Sequence, residues 1–364
     1  MTQSSNKNRV IFLDLIRAFA VLNMVQGHTI DVLLGDEFRI MSNPFFSLWF
    51  HNRGMTAPIF LFTAGTTFTY LFRLHKEKFF SNPRVIRGLQ RGLLLIGLGY
   101  LLRYPTPYIF YFKNVTESQW KIFFTVDVLQ LIGFGLLFVL FAFYLSEKFK
   151  VSDYLIFPIF IGLNILGYAF FENIDWKDFL HTSIAGYFYK GTGSNFPLFP
   201  WLSYLFAGAI LGSYLANNAR VFKTIKFSFA VILAGITLIG LAFIFDQFEI
   251  LFFGKSYFWT TSPNLVFLRL GIVLILTSVF SFIAIRMETI PKILILLGRN
   301  TLLIYIVHLL ILYGSPWNVG LNRYFNHALE PLYTILLALL MIAAMIGLVL
   351  LVYLFNIRNK TLVT

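Results

Sequence analysis

Ten apolar runs, each of about 17–25 residues, leave this chain little choice of solvent, because runs of that length span a bilayer as helices. They cover approximately 10–34, 55–72, 88–104, 122–145, 154–171, 198–216, 227–245, 265–285, 293–313 and 332–355. None alternates polar and apolar residues as a transmembrane strand does, so helices must satisfy the backbone inside the membrane. Composition agrees: 58% of the residues are hydrophobic and 12% charged, where soluble domains carry roughly 25% charged residues. The chain therefore reads as all-α, a polytopic integral membrane protein of about ten transmembrane helices, with one transmembrane domain over 1–364. A soluble enzyme and a disordered tail are excluded. Cysteine is absent, which removes disulfides, thiolate metal sites and a cysteine nucleophile.

Ten spans put both termini on one side. The six segments on that side hold 16 Lys and Arg in 58 residues, and the five opposite loops hold 8 in 100. That bias makes the first side, with both termini, cytoplasmic. The net charge of +13 is thereby an orientation signal set against anionic headgroups, and nucleic acid is not expected as a partner. The first run carries Asp14, Arg17 and His28, so it is not read as a cleaved signal peptide. The histidines at 75, 181 and 327 read as surface or headgroup-level residues. Loop tryptophans such as Trp49, Trp120, Trp176, Trp259 and Trp317 read mostly as interfacial anchors.

Ionisable groups within spans are costly and are candidates for function. In LDLIRAFAVLNMVQGHTID, Asp14 and Arg17 share a helix face. His28 falls on nearly the same face, roughly 16 Å further along at about 1.5 Å per residue. Asp31 follows by one turn and could fix the imidazole. A structural ion pair at Asp14–Arg17, and a packed histidine at 28, stand beside the functional readings. His51 lies in the loop before the second run. In LGRNTLLIYIVHLLILYG, Arg299 and Asn300 open the ninth run and His308 lies near its middle; an interhelical hydrogen bond is as good an account of His308 as a site role. Asp127 opens the fourth run in DVLQLIG.

Positive groups thus gather at the cytoplasmic end: Arg17, Arg84, Arg87, Arg91 and Arg299. Histidines and carboxylates gather toward the outer half: His28, Asp31, His51, Asp127 and His308. Arginine binds phosphate bidentately, and a histidine–carboxylate set moves protons to or from a hydroxyl or amine.

Five ordered segments carry a family resemblance: LDLIRAFAVLNMVQGH, TAPIFLFTAG, DVLQLIG, FPLFPWLSYLFAGAILG and LGRNTLLIYIVHLLILYG. The chain resembles the transmembrane acyltransferase superfamily, and within it the heparan-α-glucosaminide N-acetyltransferase-like catalytic family. The resemblance implies a transmembrane acyltransferase domain in a bacterial inner or plasma membrane. It implies transfer of an acetyl or other short acyl group from cytoplasmic acyl-CoA, acetyl-CoA for example, to an extracytoplasmic sugar or glycan. A histidine is implied as the catalytic residue. His28 matches the first-helix histidine and His51 the histidine before the second helix, with Asp31 or Asp127 orienting. Asp14 and Arg17 match the opening motif, which would shape the donor end with Arg87, Arg91 and Arg299. Asn300 and His308 match the ninth-helix motif. Ala18 stands where the family usually has Gly. No metal-ligand spacing occurs, and a homo-oligomer is compatible with the sequence. A proton-coupled secondary transporter would use the same intramembrane Asp, Arg and His, and a non-catalytic sensor or scaffold would keep the same fold.

Overall fold

The computed structural model describes residues 10–258, 262–287 and 289–361. Residues 1–9, whose charges entered the orientation argument, residues 362–364 and Trp259 lie outside the described residues. The chain is 76% helical. Its helices are α1 (Ile11–Leu33), α2 (Pro44–Arg53), α3 (Thr56–Arg73), α4 (Pro83–Leu102), α5 (Glu117–Phe123), α6 (Val128–Phe149), α7 (Asp153–Phe171), α8 (Thr182–Ala185), α9 (Leu198–Asn217), α10 (Ile225–Phe253) and α11 (Asn264–Arg286). They continue with α12 (Lys292–Arg299), α13 (Thr301–Leu312), α14 (Asn322–Phe325) and α15 (Pro331–Thr361). A two-residue hairpin, β1 (Gly314–Ser315) with β2 (Asn318–Val319), follows α13.

Among the described residues, eight helices are long and apolar enough to cross a membrane, or nine if α12 and α13 count as one broken span. The protein is therefore a multi-pass, all-α membrane protein. The tenth expected span is α1. It is 23 residues long, about 35 Å at 1.5 Å per residue, but its polar residues keep it out of the apolar set.

Two compact units divide the chain. Residues 57–279 form one. In it α7 packs on α9, and α6 packs on both α4 and α9, around Leu61, Phe72, Leu131, Phe143, Phe157 and Phe206. Lipid offers apolar side chains no less than a neighbouring helix does, so close backbone approach has to supply the attraction. Gly65 and Gly208 provide it where α3 meets α9: a Cβ on Gly65 would lie 2.0 Å from the Leu205 carbonyl oxygen, and one on Gly208 2.0 Å from that of Phe62. At one end of this unit Asp153 accepts from Arg73 (Nε–Oδ2 2.7 Å) and from Ser213 (2.5 Å). A buried carboxylate needs such partners.

Residues 1–56 and 280–364 form the other unit. Here α1 packs against α12, α13 and α15. Its C-terminal end is tied to the segment before α15, where His327 N–H donates to Val32 O (2.9 Å) and Gly35 N–H to Leu329 O (2.9 Å). The ninth apolar run bends by 72° between α12 and α13. Asn300 sits at the bend with φ −104° and ψ 24°, and its amide donates to Leu296 O at 2.8 Å. A side chain that offers the backbone a local bond competes with the helix ladder.

In the 57–279 unit, the segment after α7 carries Glu172, whose Oε2 is buried without a hydrogen-bond partner. Burial pushes the Glu172 carboxyl above its usual range, and the charge and backbone N–H of Lys190 pull it down only in part. Folding therefore favours the protonated acid. Stability from this group is complete below the unfolded carboxyl value and is lost as pH rises through the folded one. Glu172→Gln, which mimics the protonated form, should raise the melting temperature at pH 7.5 and leave it unchanged near pH 4. A lowered melting temperature at pH 7.5 would show that the Lys190 attraction dominates.

Candidate active site

The polar residues of α1 fall into two groups along one helix, and each group is met by partners from its own unit. At the N-terminal end, α12 comes up against the backbone at Asp14. Gly298 permits this, since a Cβ there would lie 2.1 Å from the Asp14 carbonyl oxygen. Arg17 donates to Thr301 Oγ1 at 3.4 Å, at the start of α13. The bend at Asn300 thus delivers Gly298, the exposed Arg299 and Thr301 to the same end of α1 as Asp14 and Arg17. Two arginines, one half-buried and one exposed, suit a phosphorylated group.

Toward the C-terminal end of α1, His28 meets α13. Its ring centroid is 5.5 Å from that of His308. Tyr313 Oη lies 3.4 Å from His28 Nδ1, with the tyrosine ring edge-on at 6.1 Å. His308 is 0% exposed, and Tyr305 packs edge-on against it at 5.8 Å. A carbonyl oxygen only accepts, so the 2.7 Å contact from His308 Nδ1 to Ile304 O places the proton of a neutral ring on Nδ1. Nε2 then carries the lone pair.

Asp31 is engaged by two arginines. Arg53 Nη1 donates to its Oδ1, and Arg39 Nη1 lies 3.5 Å from the same oxygen. Gly27 lets the Arg53 side chain cross α1, because a Cβ there would sit 3.2 Å from Arg53 Cγ. Asp31 therefore fastens α2 to α1 at one turn beyond His28. His51 is on α2 and exposed. Its Nδ1–H donates to Ser47 O at 2.7 Å, and Phe50 lies edge-on at 5.8 Å.

One feature of this end escapes sequence reading. Asn23 and Gln26 of α1 join Trp49 and Asn52 of α2 and Thr56 of α3 in a continuous hydrogen-bond network. Asn23 Nδ2 donates to Thr56 Oγ1 (3.2 Å), Gln26 Nε2 and Asn52 Nδ2 donate to Asn23 Oδ1 (2.7 and 2.8 Å), and Trp49 Nε1–H donates to Gln26 Oε1 (3.0 Å). The available signal is two amide side chains inside the first apolar run and a third just before the second; amides satisfied this way rigidify a site.

The remaining candidates belong to the 57–279 unit. Asp127 is the N-cap of α6, in a capping box with Gln130, and pairs with Arg103 at 2.7 Å. Those bonds commit it to starting α6 and holding Arg103. Arg87 and Arg91 are exposed on α4, where Arg84, Arg87 and Arg91 follow one face. Among the described residues no group of three His, Asp or Glu could hold a metal ion.

Residues 9–246 match the family described as heparan-alpha-glucosaminide N-acetyltransferase, catalytic. That is well over half of the chain. The chain belongs to this acetyltransferase family. No curated protein sequence and no solved structure matches it. The family match takes in Asp14, Arg17, His28, Asp31, His51, Arg87, Arg91 and Asp127, and it stops short of Arg299, Asn300 and His308.

Asp31 and Arg53 are partly buried, at 25% and 33% exposure. Hydrogen bonds to charged groups are worth about 1.5–3 kcal/mol each before solvent screening reduces them. Asp31→Asn should therefore destabilise the protein by about 1–2 kcal/mol and open the Arg53 bond to trypsin in detergent. Unchanged melting and unchanged cleavage would show that the two arginines do not hold α2 through Asp31.

Proposed function

We propose that the protein is a membrane acyltransferase that moves an acetyl or other short acyl group from cytoplasmic acyl-CoA to an extracytoplasmic sugar or glycan. The observation that carries this reading is the division of α1 into a basic end and a histidine end, in a chain of an acetyltransferase family. The reading takes the chain as ten spans with both termini in the cytoplasm of a bacterial cell, because the basic segments lie on the side of the Arg17 end.

In this mechanism the phosphates of the donor lie at Arg17 and Arg299, beside Asn300. The exposed face of α4 with Arg87 and Arg91 is a further basic surface on the cytoplasmic side. The thioester extends along α1 toward His28. An acceptor amine or hydroxyl attacks the thioester carbonyl, a new C–N or C–O bond forms, and the C–S bond breaks with its electron pair going to sulfur. His28 takes the acceptor's proton as general base and returns it to the CoA thiolate. His51 is the other histidine that could do so from the external side. The same residues allow a second route, in which the histidine first accepts the acyl group and then passes it on. Asp31 acts at this end by holding α2, and with it His51, against α1.

A proton-coupled transporter is the second reading. The observation in its favour is the break between α12 and α13, since discontinuous helices build ion and substrate sites in transporters.

The cysteine-free chain gives no background with thiol reagents, so CoA release from acetyl-CoA can be followed directly on the purified protein. Wild type should show slow, saturable release. His28→Ala should cut it by about 100-fold or more, the range expected for losing a general base, with folding preserved. His51→Ala measures the share of the second histidine. Full release in both variants would exclude histidine catalysis, and acetyl-CoA that neither binds nor turns over would favour the transporter.

A further inference from the structure

Two cations share the exposed face of α12. Lys292 and Arg299 are both exposed. They stand two helical turns apart, so they lie on the same face with about 10 Å between them along the axis. The opposite side, with Leu297 and Gly298, is buried where α12 packs on α1, and α15 flanks it. Neither α12 nor α15 contains an Asp or Glu. Among the described residues neither cation meets a carboxylate.

Lys292 is also held in place. Its ammonium donates to Tyr353 Oη on α15 and lies 4.2 Å from the centroid of that ring. A loose surface lysine gives up rotamer freedom when it binds a ligand; this one is fixed by a neutral partner that leaves its charge uncompensated. Tyr353 accepts from Lys292, so its own O–H remains a donor for a phosphate oxygen. Arg299 stands at the other end of α12, beside Thr301, which accepts from Arg17. The order along the protein is therefore His28, then Arg17 with Arg299, then Lys292 with Tyr353. A CoA thioester has its groups in the same order: the reacting carbonyl, the pyrophosphate and, across one ribose, the 3′-phosphate.

We infer that Lys292, with Tyr353, binds the ribose 3′-phosphate of the acyl-CoA donor, while Arg299 and Arg17 bind the pyrophosphate. This rests on the acyltransferase reading and deepens it, because it names the part of the donor that α12 distinguishes. A terminal phosphate monoester carries close to two negative charges at neutral pH and suits the compact charge of a lysine. The bridged pyrophosphate suits the fork of an arginine. The contact makes and breaks no covalent bond, so it acts on donor choice: free acyl-CoA is preferred to a pantetheine thioester that lacks the nucleotide.

The test compares CoA with dephospho-CoA, which lacks only the 3′-phosphate, by equilibrium calorimetry on the purified protein in detergent, where no turnover is needed. Wild type should bind CoA about tenfold more tightly, the scale of one hydrogen bond to a charged group. Lys292→Gln should lose that preference yet bind dephospho-CoA as wild type does, which also shows that the variant is folded. Arg299→Gln should weaken both ligands and keep the preference. A second measurement needs no variant. Modification of Lys292 in wild type by an amine-reactive ester, read by mass spectrometry, should be slowed by saturating CoA and much less by saturating dephospho-CoA. If Lys292→Gln does not fold, this protection decides alone. Equal affinity of wild type for the two ligands, a preference that survives Lys292→Gln, or equal protection by both ligands would overturn the inference and leave the donor reading standing. Wild-type protein that binds neither ligand would instead overturn the acyl-CoA reading, and the inference with it.

Discussion

A helix at membrane depth has no water to complete its hydrogen bonds, so every polar side chain on it must be met by protein. α1 carries Asp14, Arg17, Asn23, Gln26, His28 and Asp31 on 23 residues, and the unit around it is organised by meeting them. Thr301 meets Arg17, Thr56 and Asn52 meet Asn23, Trp49 meets Gln26, Tyr313 meets His28, and Arg53 with Arg39 meets Asp31. The neighbours that do this are the irregular parts of the chain. α2 is a short helix in what reads as a loop, and α12 and α13 are one span broken in two.

The break follows from the same requirement. An unbroken ninth span would run past α1 at a single angle and would serve one end of it. The 72° bend at Asn300 lets α12 close on Asp14 through Gly298 while α13 carries His308 and Tyr313 to His28. Asn300 makes the bend tolerable by bonding Leu296 O with its own amide. The basic end and the histidine end of the candidate site are thus both assembled on α1 by one stretch, LGRNTLLIYIVHLLILYG.

Apolar run length alone reveals most of this fold: each of the ten runs contains or becomes helix. The differences have local causes. The fourth run begins later than hydrophobicity suggests because Asp127 and Gln130 form a capping box at 127–130, so 117–123 becomes a separate helix. The capping signal, D-x-x-Q before an apolar run, is present in the sequence, and it accounts for Asp127 as the N-cap of α6, where it also pairs with Arg103. Helical spacing correctly placed Arg17, His28 and Asp31 on one stripe of α1. It carried no information on which helix covers that stripe. The pairing of His28 with His308 across 280 positions, the two arginines on Asp31, and the Asn23 network are tertiary facts, set by how α2 and α13 dock rather than by any period in the sequence.

The central claim is that α1 presents a donor at one end to a histidine at the other. It is tested most directly by a structure of the protein bound to a hydrolysis-resistant acetyl-CoA analogue. The account predicts phosphate density at Arg17 and Arg299, and the acyl carbonyl within hydrogen-bonding reach of His28, about 3 Å or one water away. An analogue bound with its acyl group away from both His28 and His51 would contradict it.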